Sequence, residues 1–174
     1  VYYNAVYDAE QAYDAAEEYR REGRPVEANT QYDSVIEKAG RVVVDHPDSK
    51  YAAGAAILKA RAELARERPE AAAATAARVG DLTRDPRLLG LAAGLEGIAR
   101  HRLGEIEAAD RLLTRALEGD PAAEDKALFA FHRGLARLEA GRPGEAAADL
   151  AAAGEEERLG AEVRLDLARG LSEV

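Results

Sequence analysis

The sequence contains no cysteine, so disulfide bonds, thiolate metal sites and cysteine nucleophiles are all excluded. It also contains no methionine and opens with Val1. From this we expect that the natural start lies upstream, either on a removed leader or in an omitted segment. No apolar run approaches the roughly 20 residues that a membrane-spanning helix requires. We therefore expect no membrane-spanning helix within the sequence.

Positive charge is also scarce: 24 Lys and Arg residues stand against 33 Asp and Glu residues, which gives a net charge of −9. This balance opposes the phosphate neutralisation on which non-specific nucleic-acid binding depends, and no run of Lys and Arg marks a basic patch. Hydrophobic residues make up 47% of the chain and charged residues 33%, as is usual for a folded helical protein. We therefore predict a folded chain with no nucleic-acid partner.

The clearest feature that is present is a helical hairpin from Gly97 to Pro121. Its first helix is predicted to end at Leu103-Gly104, where glycine can adopt the left-handed conformation that stops a helix. Its second helix is predicted to end at Gly119-Asp120-Pro121, because proline cannot continue a helix. The second helix carries one apolar stripe at helical spacing: Ile106, Ala109, Leu112, Leu113, Ala116 and Leu117. Neither helix can bury its apolar face alone, so the hairpin needs copies of itself on either side.

Such copies are indicated by a recurring turn. Gly23 to Ala28 (GRPVEA) is nearly duplicated by Gly141 to Ala146 (GRPGEA), with a glycine that stops one helix and a proline in the first turn of the next. Arg68-Pro69-Glu70 repeats this chemistry without the glycine. The pattern predicts helices at 2–22, from Ala28 past Gly40 to Val44, after Ser49, from Ala71 to near Asp85-Pro86, through the 97–121 hairpin, at 122–140 and at about 161–171.

We therefore predict a single all-α domain over residues 1–174. Its helical hairpins are expected at about 2–47, 49–86, 87–121 and 122–157, and a terminal capping helix at about 158–173. Ser49 is expected to cap the third helix. The first unit is expected to have the longer second helix, because its apolar pattern continues through Val42 and Val44.

These repeats resemble the tetratricopeptide repeat (TPR) family, which stacks helix–turn–helix units of about 34 residues. The small residues and closing proline of that family match Gly97, Ala109, Ala116 and Pro121. In the last full unit Gly134, Ala146 and Ala153 match without a closing proline, and in the first unit Ala16, Ala28 and Tyr32 match with Pro47 displaced. The unit around Arg68-Pro69 departs most. The resemblance implies a right-handed superhelical α-solenoid that binds a protein or peptide on its concave face.

A narrower resemblance involves Tyr3-Asn4-Ala5, the long first unit and the segment from His46 to Ala52. These are similar to bacterial TPR lipoproteins of the envelope, a class that includes the lipoprotein subunit of the outer-membrane β-barrel assembly machinery. The resemblance implies an exported protein of the periplasm, outer membrane or cell surface. Contact with a membrane would then occur only through a lipid-bearing cysteine upstream of Val1; a cytoplasmic protein is the alternative.

Motifs typical of catalysis are not recognisable. The glycines lie at helix ends or crossings rather than in a G-x-x-x-x-G-K loop, and no serine lies in a nucleophile elbow. His46 precedes a helix-ending proline, where turn hydrogen bonding accounts for it. His101 and His132 lie on first helices of neighbouring units at different repeat positions, and a closed metal site needs three or four converging ligands. We therefore predict that the protein is not an enzyme and uses no cofactor or metal.

Candidate binding residues follow from the groove-facing helix positions that the TPR resemblance implies. They are Tyr13, Glu17, Arg20, Ile57, Arg61, Ile98, His101, Arg102, Phe131 and Leu135. Phe129 and Phe131 cannot both be buried by the same stripe, so one of them is expected either to face a ligand or to be covered by the final helix. We expect Tyr13, Tyr19 and Tyr32 to pack in the core, and Tyr2, Tyr3 and Tyr7 to form an interface, because three tyrosines so close in sequence cannot face one core.

Two functions from different classes fit this reading. The first is a binding module that takes a peptide or partner protein in the groove. The second is a structural subunit of a larger envelope or extracellular assembly, since solenoid ends with incomplete polar caps can stack head to tail. In that case the tyrosine-bearing first helix and the final helix, with Val163, Leu167 and Leu171, are the expected contact surfaces.

Overall fold

The computed structural model describes residues 2–154, with side chains from Asn4 onward. Within this range the chain is an all-α solenoid of helical hairpins, as predicted. Its helices are α1 (Tyr2–Arg21), α2 (Pro25–Asp45), α3 (Ala52–Ala65), α4 (Pro69–Ala77), α5 (Val79–Leu82), α6 (Pro86–Arg102), α7 (Ile106–Glu118), α8 (Ala123–Glu139) and α9 (Pro143–Gly154). None of these helices has the length and apolar character needed to cross a bilayer. The predicted terminal helix at about 158–173 lies outside the described residues.

The hairpins stack in sequence order. The pairs α1–α2, α3–α4, α6–α7 and α8–α9 pack internally, and α2, α4 and α7 each also pack on the first helix of the following hairpin. The first helices α1, α3, α6 and α8 pack on one another in the same order. They therefore share one face of the solenoid, which is the face that a groove would occupy.

The turns inside the hairpins have the predicted backbone geometry. Gly23, Gly104 and Gly141 have φ values of 71°, 76° and 72°. In the second hairpin Glu67 occupies the equivalent place with φ 55°. A left-handed conformation is unfavourable for a residue that carries a Cβ atom, so the second turn forms without the residue best suited to it.

Small residues allow the two helices of a hairpin to approach closely. A Cβ atom added at Gly97 would lie 2.7 Å from Cγ of Leu113, and one at Gly134 would lie 2.8 Å from Cγ of Leu150. The alanines matched to the repeat pattern in these hairpins, Ala109, Ala116, Ala146 and Ala153, are buried. Helix packing thus explains the repeated small residues.

Ion pairs join α8 to α9 within the last hairpin, and they also join this hairpin to α7 of the hairpin before it. Asp149 of α9 is buried and accepts hydrogen bonds from Arg133 (Nη2–Oδ1, 2.5 Å) and Arg137 (Nη1–Oδ2, 3.0 Å) of α8. Arg137 also donates from Nε to Asp110 of α7 at 2.9 Å, and Arg142 donates to the other Asp110 oxygen at 2.8 Å. Burial by itself would raise the pKa of Asp110, but these arginines outweigh it and lower the pKa.

Two local predictions were wrong. Ser49 does not cap α3: the N-cap is Tyr51 without a side-chain bond, and the buried Ser49 hydroxyl has no hydrogen-bond partner among the described residues. The helix predicted from Ala71 begins at Pro69 and breaks at Arg78, and a single turn, α5, continues it.

The prediction of a longer second helix in the first hairpin is confirmed. Helix α2 has 21 residues, against 13 in α7 and 12 in α9. Near its end Val42 is buried and Val44 is 74% exposed, because residues two apart on a helix point in different directions.

Candidate functional site

The face shared by the first helices contains a cavity of about 540 Å³. A volume of this size is typical of ligand sites, which range from about 300 to 1,000 Å³. Side chains from α1, α3, α6 and α8 all line it, together with one residue of α2 and the turn before α4. The lining residues are Tyr13, Glu17, Arg20, Tyr32, Arg61, Leu64, Ala65, Glu67, Pro69, Leu95, Ile98, Arg102, Glu124, Asp125, Leu128 and His132.

One end of the cavity is built from the first hairpin. The rings of Tyr13 and Tyr32 meet edge to face with centroids 5.9 Å apart. The Tyr32 hydroxyl donates to Oε1 of Glu17, and Arg20 donates to Oε2 of the same carboxylate at 2.7 Å. Burial, reinforced by the charge of Glu17, raises the pKa of Tyr13 to about 12 and also raises that of Tyr32, so both hydroxyl groups are protonated at neutral pH.

An ion pair crosses the centre of the cavity. Nη2 of Arg61 in α3 lies 2.7 Å from Oδ1 of Asp125 in α8, and both side chains are largely buried. Burial by itself would lower the pKa of Arg61, but the charge of Asp125 outweighs it and raises the pKa. The pair joins the second and fourth hairpins directly, although α3 and α8 do not pack on each other.

The floor of the cavity is apolar. Leu95 and Ile98 of α6 are almost completely buried, and Leu128 of α8 is partly exposed beside them. At one edge of this floor, Nη1 of Arg102 donates to the backbone carbonyl of Leu64 at 2.6 Å, which ties α6 to the end of α3. The site therefore offers an apolar base, an aromatic end and charged groups, of which Glu17, Arg20, Arg61 and Asp125 are paired with one another.

The sequence-derived candidates divide into two groups. Tyr13, Glu17, Arg20, Arg61, Ile98 and Arg102 line the cavity. Ile57, His101, Phe131 and Leu135 do not. Ile57 is buried and lines a separate recess of about 220 Å³ beside α1, and Leu135 packs partly buried against the α8–α9 core.

Phe129 and Phe131 are both buried, but by different faces of α8, as expected for two rings that one stripe cannot bury. Phe129 points towards α6, where a Cβ atom at Gly94 would lie 2.2 Å from its ring. Phe131 instead packs with Ala146, Leu150 and other residues of the α8–α9 core. Helix α8 therefore has two buried stripes, and neither ring is exposed as an aromatic face for a ligand would be. The final helix, which was the other expected cover for one of the rings, lies outside the described residues.

His101 and His132, which lie on first helices of neighbouring hairpins at different repeat positions, are brought into contact by the stacking of α6 and α8. Their Nδ1 atoms lie 3.0 Å apart, and Nε2 of His101 lies 3.2 Å from Oε1 of Glu139. His132 is buried, and desolvation, with the charges of His101 and Arg102, lowers its pKa well below the usual value. Within residues 2–154, no three His, Asp or Glu side chains converge on a metal position.

The tyrosines of the first two helices that are described by their side chains divide as expected. Tyr32 is buried in the core of the first hairpin, and Tyr13 and Tyr19 pack partly buried against that core, with Arg24 4.4 Å over the Tyr19 ring. Tyr7 is 48% exposed on α1. The side chains of Tyr2 and Tyr3, and the candidate contact residues Val163, Leu167 and Leu171, lie outside the described part of the chain.

Sequence reasoning missed several residues that line the cavity, among them Tyr32, Leu95 and four on α8. Those four are Glu124, Asp125, Leu128 and His132, and the last three follow one another at spacings of three and four. This spacing is the signal of one helix face and was available in the sequence. Phe131 and Leu135, however, mark a second and more apolar face of the same helix, and that face gives the stronger signal in the sequence.

Comparison with solved structures gives a clear likeness in fold. The chain superposes on the crystal structure of TTC0263, a thermophilic TPR protein from Thermus thermophilus, with a TM-score of 0.61. The match covers 94% of this chain and 99% of that chain at 18% sequence identity. No protein-family model matches the sequence, and a sequence search of curated proteins likewise gives no match. At this identity the likeness establishes the TPR-like helical fold and no specific activity.

Proposed function

We propose that this protein is a non-enzymatic protein–protein interaction scaffold that binds a peptide or partner protein on its concave face. The observation that carries the proposal is the cavity of about 540 Å³ to which all the described first helices contribute side chains. A site built from successive repeats presents an extended surface, which suits a chain-like ligand. The TPR-like fold supports the same class of function, since such repeats serve generally in protein interactions.

The chemistry of the cavity favours a segment with an apolar anchor flanked by polar groups. Leu95, Ile98 and Leu128 provide an apolar base, and Tyr13 provides aromatic area of the kind enriched at interfaces. Arg20 and Glu124 lie at the exposed rim, so both signs of charge meet an approaching partner there. Rim charges of both signs select partners and orient them more than they add affinity.

The proposal is tested with peptides selected from a random displayed library against the purified protein. Affinities of the selected peptides are measured for the wild type, for Glu124→Lys in the cavity rim and for Glu37→Lys on the exposed side of α2. The two substitutions make the same charge change, and both side chains lie at the surface. We expect Glu124→Lys to change the dissociation constant by about tenfold, and Glu37→Lys by less than about twofold.

A pattern in which Glu124→Lys does not have the larger effect would contradict binding on the concave face. An effect of Glu37→Lys alone would place binding on the convex side, and equal effects would indicate non-specific attraction by charge. A library that yields no binding peptide would indicate that the cavity is a packing defect rather than a site.

We further propose that the protein works in the bacterial cell envelope, exported and held there by an N-terminal lipid upstream of Val1. The support is the resemblance of Tyr3-Asn4-Ala5, the long α2 and the His46–Ala52 segment to TPR lipoproteins of the envelope. Fractionation of cells that express the gene from its natural start tests this directly. Recovery with outer-membrane or periplasmic markers is expected, and recovery only with cytoplasmic markers would overturn it.

A second candidate function is a structural subunit of a larger assembly, and the exposure of Tyr7 on α1 favours it. Tyrosine is enriched at interfaces, and α1 is the outermost helix of the solenoid at its amino-terminal end. Mass measurement over a wide concentration range tests this alternative, with Tyr7→Ser as the variant. Growth in mass that Tyr7→Ser abolishes would support assembly, and a concentration-independent monomer would exclude it.

A further inference from the structure

The geometry of the contact between His101 and His132 limits the number of protons that the two rings can place between them. Both rings use Nδ1 for the contact, and the two Nδ1 atoms are 3.0 Å apart. A hydrogen bond over this distance needs one nitrogen to donate and the other to accept. The pair can therefore share the contact with one Nδ1 proton between them, but not with two.

We propose that His101 and His132 form a pH-sensitive joint between the third and fourth hairpins, closed while the pair carries at most one positive charge and weakened when it takes a second. A doubly protonated pair would direct two N–H groups and two like charges at each other across 3.0 Å. This goes beyond the proposed binding function, because it concerns the packing of α6 against α8 whether or not a ligand is bound.

The surroundings of the pair strengthen this limit. His132 of α8 lies opposite His101 and Arg102 of α6, and both of these side chains oppose a positive charge on its ring. Glu139 of α8 lies 3.2 Å from Nε2 of His101, and its side chain is more than half exposed. From α3, the backbone carbonyl of Leu64 accepts a hydrogen bond from Arg102. The negative charge of Glu67, in the turn after α3, interacts with Arg102 rather than with either histidine.

Among the residues whose side chains are described, the remaining acidic neighbours are occupied by arginines. The carboxylate of Asp149 in α9 binds Arg133 and Arg137, and that of Asp110 in α7 binds Arg137 and Arg142. Neither makes a described contact with a histidine. Burial of His132 opposes its charged form as well, so its pKa lies well below 6.5.

The direction in which pH changes the stability follows from the number of protons that the folded and unfolded states bind. In the unfolded chain both histidines take up a proton as the pH falls below about 6.5, whereas in the folded chain the pair accepts only one. The unfolded state then binds more protons, so stability is full above about pH 6.5 and is lost as the pH falls below it. The position of His132 in the cavity lining places this weakening at the groove itself.

Urea unfolding of the wild type, of His132→Phe and of His46→Gln at several pH values tests the joint. His132→Phe keeps a buried aromatic ring but removes one of the two proton sites, and His46→Gln removes a histidine that lies outside the joint. Below about pH 6, we expect the unfolding constant of the wild type and of His46→Gln to rise about tenfold per pH unit more than that of His132→Phe. Parallel pH dependence of the wild type and His132→Phe would overturn the proposal.

A second measurement uses the wild type alone, so it stands even where a substitution prevents folding. In uniformly ¹⁵N-labelled protein, a scalar coupling across the hydrogen bond between the two Nδ1 atoms is expected at about pH 7.5 and is expected to disappear at about pH 5. Absence of the coupling at the higher pH, or its persistence at the lower one, would contradict the joint. His101→Gln separates the contact from the burial of His132: the excess pH dependence should become smaller but not vanish, because the buried His132 still resists a proton when the neighbouring imidazole is gone. An unchanged pH dependence in His101→Gln would assign the effect to burial alone.

Discussion

Arg61 of α3 and Asp125 of α8 form an ion pair of 2.7 Å across the face shared by the first helices, past the helix α6 that separates them. The two residues are 64 positions apart, and the pair joins hairpins that are not neighbours in the stack. A stack of hairpins held only by neighbours could flex at each junction. This contact restrains the curvature of the solenoid over three successive hairpins, at the point where the candidate site lies.

The first prediction concerns this ion pair. We expect Arg61→Ala to lower the free energy of unfolding by about 1–3 kcal/mol, because it leaves the largely buried carboxylate of Asp125 without its partner. A double-mutant cycle with Asp125→Ala should give a coupling energy of about 1–2 kcal/mol. The exposed pair Arg41–Glu37 is the matched control, and its coupling should stay below about 0.5 kcal/mol. Equal coupling energies in the two cycles would show that the crossing pair contributes no restraint.

The second prediction compares two glycines of α6. A Cβ atom at Gly94 would lie 2.2 Å from the buried ring of Phe129, whereas one at Gly90 meets nothing within 4 Å. Gly90→Ala should therefore stabilise the protein by about 0.5–1 kcal/mol through helix propensity. Gly94→Ala should destabilise it by about 1–3 kcal/mol through overpacking, and Phe129→Leu in the same chain should restore part of the loss. Thermal unfolding checks both, and stabilisation by Gly94→Ala would mean that α6 and α8 are further apart than described.

The third prediction concerns the turn of the second hairpin. Glu67 has φ 55° where two neighbouring turns along the stack have glycine, at Gly23 and Gly104. Glu67→Gly should raise the free energy of unfolding by about 0.5–1 kcal/mol, since glycine adopts this backbone without the Cβ penalty. Gly104→Ala is the reciprocal control and should lower it by about 1 kcal/mol. Chemical denaturation measures both changes, and a loss of stability in Glu67→Gly would contradict the equivalence of the turns.

The fourth prediction is a pH dependence at Asp110. Arg142 and Arg137 hold its pKa below the ordinary value of 3.8, so its stabilising contribution is complete above about pH 4 and is lost as the pH falls through the lowered value. Asp110→Asn should cost about 1–2 kcal/mol at pH 7. The difference from wild type should shrink as the pH falls below about 3.8, because the unfolded carboxyl then takes up a proton that the folded carboxyl resists. Asp120→Asn, at an exposed carboxylate, should show little difference at either pH; a pH-independent cost at Asp110 would assign it to packing alone.

Local features of this fold were predictable from the sequence because short-range chemistry determines them. Gly23, Gly104 and Gly141 each adopt the left-handed conformation that their position before a new helix requires. The stripe of α7 also behaves as its spacing indicates, with Ala109, Leu113 and Ala116 buried. Each of these signals lies within one hairpin, so no knowledge of the stacking geometry was needed.

Contacts between hairpins could not be obtained in the same way. His101 and His132 meet, and Phe129 and Phe131 are both buried, because of the rotation that each hairpin makes relative to the next. Sequence spacing determines the face of one helix but not its angle to a helix thirty residues away. The same limit explains the candidate site: Tyr13, Arg61 and Ile98 were identified on their own helices, whereas the pairing of Arg61 with Asp125 was not.

The central claim is that the face formed by α1, α3, α6 and α8 is the surface that takes a partner. Chemical-shift mapping tests it most directly: a library-selected peptide is titrated into ¹⁵N-labelled protein and the perturbed amides are located. We expect the largest perturbations around the cavity, at residues such as Arg20, Arg61, Leu128 and His132. Perturbations confined to the outer helices α2, α4, α7 and α9 would contradict the account.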